Sequence, residues 1–309
     1  MNRKNTFHKV AALIFLLMAL LGCTSKESTK DNKLLIVTTT GMIRDAVQNI
    51  VGEQAEVIAL MGPGVDPHLY KATQGDLKKL TSADLVFYNG LHLEGKLGEV
   101  LEKLARTKPV VAVADHLPDS LLRKVEGFQG AYDPHIWFDV SLWSRAVGVM
   151  GDYLKQFDTE HADLYTASTN RYRQRLDSLH AQVHEQIQRL PEEQRVLITA
   201  HDAFGYFGDA YGIDVRGLQG ISTVAEFGLR DVTNLVDFII ARKIKAIFVE
   251  TSVSEKSINA VVEGCRTKNW HVQIGGSLYS DALGEEGTPE GTYIGMVNSN
   301  VKTIIESLH

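Results

Sequence analysis

The sequence predicts an α/β protein made of two halves of similar size and rhythm, joined by one long helix. Three observations carry this reading. Short apolar runs alternate with amphipathic stretches from residue 34 to residue 114, the pattern of a parallel sheet covered by helices. The same alternation returns after residue 190. Between the two blocks, Tyr165, Tyr172, Leu176, Leu179, Val183, Ile187 and Leu190 fall at spacings of 7, 4, 3, 4, 4 and 3, which is one face of a continuous helix over residues 161–191. At 1.5 Å per residue that helix would be roughly 40 Å long, and Pro191 marks its end. A helix in place of a Gly/Ser-rich linker implies a stiff connection and a small opening angle.

Taken in order, the first half has strands expected at residues 34–40 ("LLIVTTT"), 55–60, 83–89 and 109–114. Helical patterns fill residues 42–51, 75–81 and 93–106, the last with leucines at 93, 97, 101 and 104. Residues 136–150 form a further helical stretch. In the second half, strands are expected at 195–200, 214–219, 246–251 and 271–276, and helices at 229–243, 255–268 and 292–308. The 309 residues suit two domains of ordinary size, a first lobe over 34–160 and a second over 192–309, with 161–191 as the connecting helix.

Residues 1–33 stand apart. Arg3 and Lys4 precede an apolar run over residues 10–21, too short for a membrane span of roughly 20 residues and suited to the apolar region of a secretory signal. The run ends in Leu20-Leu21-Gly22-Cys23, which resembles the lipobox of bacterial lipoproteins. That resemblance implies a signal over 1–22, a lipid on Cys23 that anchors the chain to a membrane, and a flexible tether over 23–33. The net charge of −6 and the absence of a long basic run argue against nucleic acid as a partner. With Cys23 lipidated, Cys265 is alone, so a disulfide scaffold is excluded and Cys265 reads as a buried structural thiol.

Chemistry concentrates in the histidines, of which there are eleven. His180 and His184 lie four apart on the long helix, but "HAQVH" has no glutamate to act as a base, and they read as a solvated face. His92 and His116 follow strands without a nearby acid or second histidine. His68 follows the 55–60 strand through "MGPGVDPH", His135 stands in "YDPHIWFD", and His201 directly follows the strand "RVLITA". Asp281 lies just past the 271–276 strand. In open α/β sheets ligands bind beyond the carboxyl ends of the strands. Three imidazoles and a carboxylate, two residues from each half, suit a transition metal held in a cleft. In both Asp-Pro-His segments proline restricts the backbone leading into the ligand, and Asp66 and Asp133 are placed to orient an imidazole or cap a turn. Spacing alone leaves open the alternative of unrelated loop histidines.

The segments "GPGVDPHLYKAT", "NGLHLE", "DPHIWFDV", "ITAHDAFGYF" and "LYSDALG" resemble, in the same order, the zinc- and manganese-type TroA-like substrate-binding lipoproteins of bacterial metal ABC importers. The resemblance covers nearly the whole chain after the signal. It implies two lobes, each with a mainly parallel four-stranded sheet flanked by helices, joined by one rigid helix. It implies one divalent metal held by His68, His135, His201 and Asp281, with Glu250 close behind them. It further implies a monomer outside the cytoplasm that hands its metal to an ABC permease and its ATPase. Three nitrogens place zinc first, since manganese prefers oxygen-rich shells; manganese comes second and ferrous iron third. The competing expectations are a secreted zinc metallohydrolase, with Glu250 or Asp202 as base, and a surface adhesin lipoprotein with a structural metal.

Overall fold

The strand "LLIVT" is apolar on both faces because both faces are covered, as parallel sheets require. In the computed structural model, which describes residues 33–125 and 132–309, it forms β1 (Leu34–Thr38), with Ile36 and Val37 fully buried. The expected signal and Cys23 lie outside the described residues. β1 is followed by α1 (Gly41–Val51), β2 (Ala55–Ala59), α2 (Gln74–Ser82), β3 (Leu85–Tyr88), α3 (Gly95–Leu104) and β4 (Val110–Ala112). The four strands make one parallel sheet in the order β2-β1-β3-β4, with Ile36 opposite Val57 and Leu85. α2 starts at a reciprocal cap between Thr73 and Asp76. α3 begins two residues later than the leucine pattern predicts. Leu91 and His92 take positive φ of 49° and 64° and hold residues 91–94 in a turn.

The stretch over residues 136–150 divides at Asp139, whose side chain accepts the N–H groups of Ser141 and Leu142 and starts α4 (Val140–Phe157). The long helix, α5, spans Ala162–Gln188. The second half runs β5 (Val196–His201), α6 (Gly205–Tyr211), β6 (Asp214–Gln219), α7 (Leu229–Ala241), β7 (Ala246–Glu250), α8 (Lys256–Thr267), β8 (Gln273–Leu278) and α9 (Tyr293–Leu308). Here the hydrogen bonding differs from a continuous four-stranded sheet. β5 pairs with β6 and β7 with β8, both parallel, while β5 lies beside β7 without a ladder. At that seam the His201 N–H donates to the Glu250 side chain. β8 starts two residues later than expected because Trp270 N–H still closes the end of α8 on Cys265 O, and pairing resumes at Gln273.

One core is shared by both halves. It joins Ile36, Met42 and Phe87 to Trp143 and Leu176 of α4 and α5, and to Leu197, Phe204, Tyr293 and Ile304 of the second half. Each such buried side chain contributes about 1.5–3 kcal/mol. A smaller core in the second half holds Ile198, Ile247 and Ile258 around free, fully buried Cys265, whose thiol is pushed up by burial. No helix among the described residues is long and apolar enough to cross a membrane.

Candidate metal centre

His201 is the last residue of β5, Asp281 lies three residues past β8, and His68 is on the loop after β2, so three of the four candidates stand beyond strand carboxyl ends. His135 enters from the short turn before α4. All four converge: one ligand atom from each lies within 4.8 Å of the others, the one such group among the described residues. His68 Nε2 is 3.3 Å from His135 Nε2. Asp281 Oδ1 is 3.5 Å from His135 Nε2, and Oδ2 is 3.3 Å from His201 Nε2. His135 and His201 are fully buried, Asp281 is 2% exposed and His68 5%.

These atoms are short of partners. Both oxygens of Asp281 and Nε2 of His201 are buried without a hydrogen bond. Unsatisfied buried polar groups cost free energy and are rare in folded proteins. A cation among them would satisfy all three. Charge is already unevenly set. Burial, helped by the charges on His135 and His201, pushes the His68 imidazole down to about 3. Burial also opposes charge on His201, but the carboxylates of Glu250 and Asp281 outweigh it and hold that imidazole well above its usual range. Burial raises the Asp281 carboxyl, and the His201, His135 and His68 rings more than reverse this, leaving it well below the carboxylate range.

Behind the four, the two Asp-Pro-His segments do one job alike and one differently. Asp66 Oδ1 accepts His68 N–H at 2.8 Å, and Asp133 Oδ1 accepts His135 N–H at 3.0 Å, so each carboxylate pins the backbone of its histidine. Asp133 Oδ1 also lies 2.7 Å from His135 Nδ1 and so orients that ring with Nε2 inward. Asp66 holds no ring. Glu250 serves His201: Oε1 accepts its N–H at 2.9 Å, and Oε2 stands 2.5 Å from Nδ1 as a close charge contact. Asp202 lies outside the group; burial, with the Asp133 charge beside it, raises its carboxyl.

The other histidines are elsewhere. His180, partly exposed on the solvated face, also ties α5 to α6 through Nδ1, 3.1 Å from Tyr211 OH, while His184 is exposed. His116 meets Tyr153, and His92 sits in the turn before α3.

Several supporting residues carried no assignment in the sequence reading. Glu94, buried, accepts from Thr39 Oγ1, Asn89 N–H and Gly90 N–H, and Asn89 Nδ2 donates to Pro134 O at 3.0 Å, bracing the residue before His135. "NGLHLE" was the available signal, without a role attached. Across the halves, Trp137 Nε1 donates to Ser280 O at 2.9 Å beside Asp281, and Tyr206 OH donates to Asp133 O at 3.0 Å. Each half thus steadies a loop of the other that bears a candidate ligand.

Comparisons with known proteins find relatives over nearly the whole chain. A family model described as ZnuA, zinc-uptake complex component A, periplasmic, matches residues 36–307. The chain is 50% identical over 302 residues to the manganese-binding lipoprotein MntA of Bacillus subtilis, covering 97% of this chain and 98% of that protein. It is 47% identical over 304 residues to the zinc-binding protein TroA of Treponema pallidum, again covering 97% and 98%. The solved structure of periplasmic zinc-binding TroA from Treponema pallidum matches with a TM-score of 0.87 at 49% identity, over 89% of this chain and 99% of that one. The chain belongs to the ZnuA family, the extracytoplasmic metal-binding components of bacterial ABC metal importers, and is not an enzyme.

Proposed function

We propose that His68, His135, His201 and Asp281 hold one divalent cation, zinc ahead of manganese and ferrous iron, which this chain captures outside the cytoplasm and hands to a permease driven by an ATPase. The observation that carries the assignment is the meeting of buried, unpartnered Asp281 oxygens with three imidazole nitrogens. Separations of 3.3 Å between the His68 and His135 rings, and of 3.5 and 3.3 Å from the two Asp281 oxygens to His135 and His201, let one cation reach all four side chains, and three nitrogens favour zinc. Relatives named for manganese and for zinc match almost equally well, which keeps manganese second. Glu250 positions His201, so neither it nor Asp202 is offered as a base, and capture for transport is preferred to hydrolysis or to adhesion. The same reading keeps lipid on Cys23, a signal over 1–22, a tether over 23–33, lobes over 34–160 and 192–309 around the 161–191 helix, and a monomer.

The test strips the purified full chain of metal and offers equimolar zinc, manganese and ferrous iron. Zinc is expected at one per chain, with a rise in melting temperature that follows RT ln(1 + [L]/Kd). Uptake of none of the three refutes the site; preferential uptake of manganese refutes the metal order alone.

A further inference from the structure

The segment over residues 220–228 joins β6 to α7 and belongs to the second half, yet one of its side chains is fixed to the first. Thr223 Oγ1 donates to Asp66 Oδ2 at 2.6 Å, and Thr223 is 8% exposed. The other oxygen of the same carboxylate accepts His68 N–H at 2.8 Å. The remaining hydrogen bonds of the segment, such as Ala225 N–H to Ser222 O and Gln219 Nε2 to Ala225 O, stay within the second half. Its neighbour Val224 is 60% exposed.

His68 is the candidate ligand most in need of such a tie. It is the most exposed of the four. Asp133 holds both the backbone and the ring of His135, and Glu250 touches both the backbone and the ring of His201. Asp66 holds only the His68 backbone, and its second oxygen is spent on Thr223. We infer that Thr223 is a positioning residue: through Asp66 it keeps His68 in the centre and sets how long a bound metal stays. The inference rests on the four-residue site proposed above. Release requires one ligand to leave first, and His68 leaves more readily once its carboxylate anchor is free to turn. Entry precedes ligand closure, so association is not limited by this bond.

The full chain is loaded with zinc and mixed with excess chelator in a stopped-flow instrument, and association is followed separately. Thr223→Val removes the hydroxyl and keeps the shape; Thr223→Ser restores it. The lower end of what a hydrogen bond to a charged group contributes corresponds to roughly tenfold in rate. Thr223→Val is expected to release zinc about tenfold faster with unchanged association, and Thr223→Ser to release it at the wild-type rate. Wild-type release from Thr223→Val, equal acceleration of association and release, or failure of Thr223→Ser to restore slow release each overturns the inference. A wild-type chain that binds zinc while Thr223→Val matches it removes this inference and leaves the site standing. A wild-type chain that takes up no zinc removes both.

Discussion

Asp133→Asn separates the charge of a supporting carboxylate from its shape. Asp133 is fully buried, and its Oδ1 accepts from the His135 backbone at 3.0 Å and stands 2.7 Å from the ring Nδ1. An asparagine oxygen can still accept from both nitrogens, so the turn and the ring orientation survive. What disappears is the negative charge that makes the ring nitrogen facing the centre a better donor. A hydrogen bond to a charged group contributes about 1.5–3 kcal/mol and a neutral one about 0.5–1.5 kcal/mol. The difference, about 1–1.5 kcal/mol, is a weakening of zinc affinity by roughly 5- to 13-fold. The assay is equilibrium competition with a chelator of known affinity, with the metal-free melting temperature as a check on folding. Stoichiometry should stay at one, because the four contact atoms are untouched. Affinity within twofold of wild type, in a protein that melts normally, would refute the view that Asp133 tunes His135.

Three further outcomes are expected. His201→Ala should weaken zinc binding by more than about 100-fold, while His180→Ala, tied to Tyr211 away from the site, should stay within about threefold; equal effects in the same competition assay would undo the assignment. Burial raises the Glu94 carboxyl from 4.5 to about 7 against its three hydrogen-bond donors. The folded state therefore binds more protons than the unfolded one between those values. This group's contribution is fully present below pH 4.5 and is lost as pH rises towards 7, by about 3 kcal/mol in total. Glu94→Gln should flatten that part of the pH profile in urea melts, and an unchanged slope would count against it. A Cβ on Gly275 would lie 2.6 Å from Ser307 Cβ of α9, so Gly275→Ala should cost about 1–3 kcal/mol by pushing α9 off β8; a variant as stable as wild type would contradict that contact.

Legibility in the sequence followed the reach of each signal. β1, β5 and β7 were readable because strands covered on both faces are unbroken apolar runs, and α5 because its stripe repeats over 27 residues. α6 was not foreseen, since seven residues hold too few turns to show a period. Among the candidate ligands, His68 and His135 were marked by their shared proline turn, and His201 and Asp281 by their place after strands. The residues that steady them were not readable. Trp137 reaches across 143 residues to Ser280, Tyr206 across 73 to Asp133 and Thr223 across 157 to Asp66, and contacts so distant leave no local pattern. The open seam between β5 and β7 had the same origin, because Glu250 and His201 are 49 residues apart.

The place of α9 in the shared core has a consequence for how the two halves come apart. Its Tyr293 ring stacks 5.4 Å from Trp143 and its hydroxyl donates to Trp137 O at 2.6 Å, both partners made some 150 residues earlier. α9 thus closes one side of the apolar face around Trp143, whose other sides are held by Met42 and Leu176. The two halves are therefore expected to unfold together rather than one at a time.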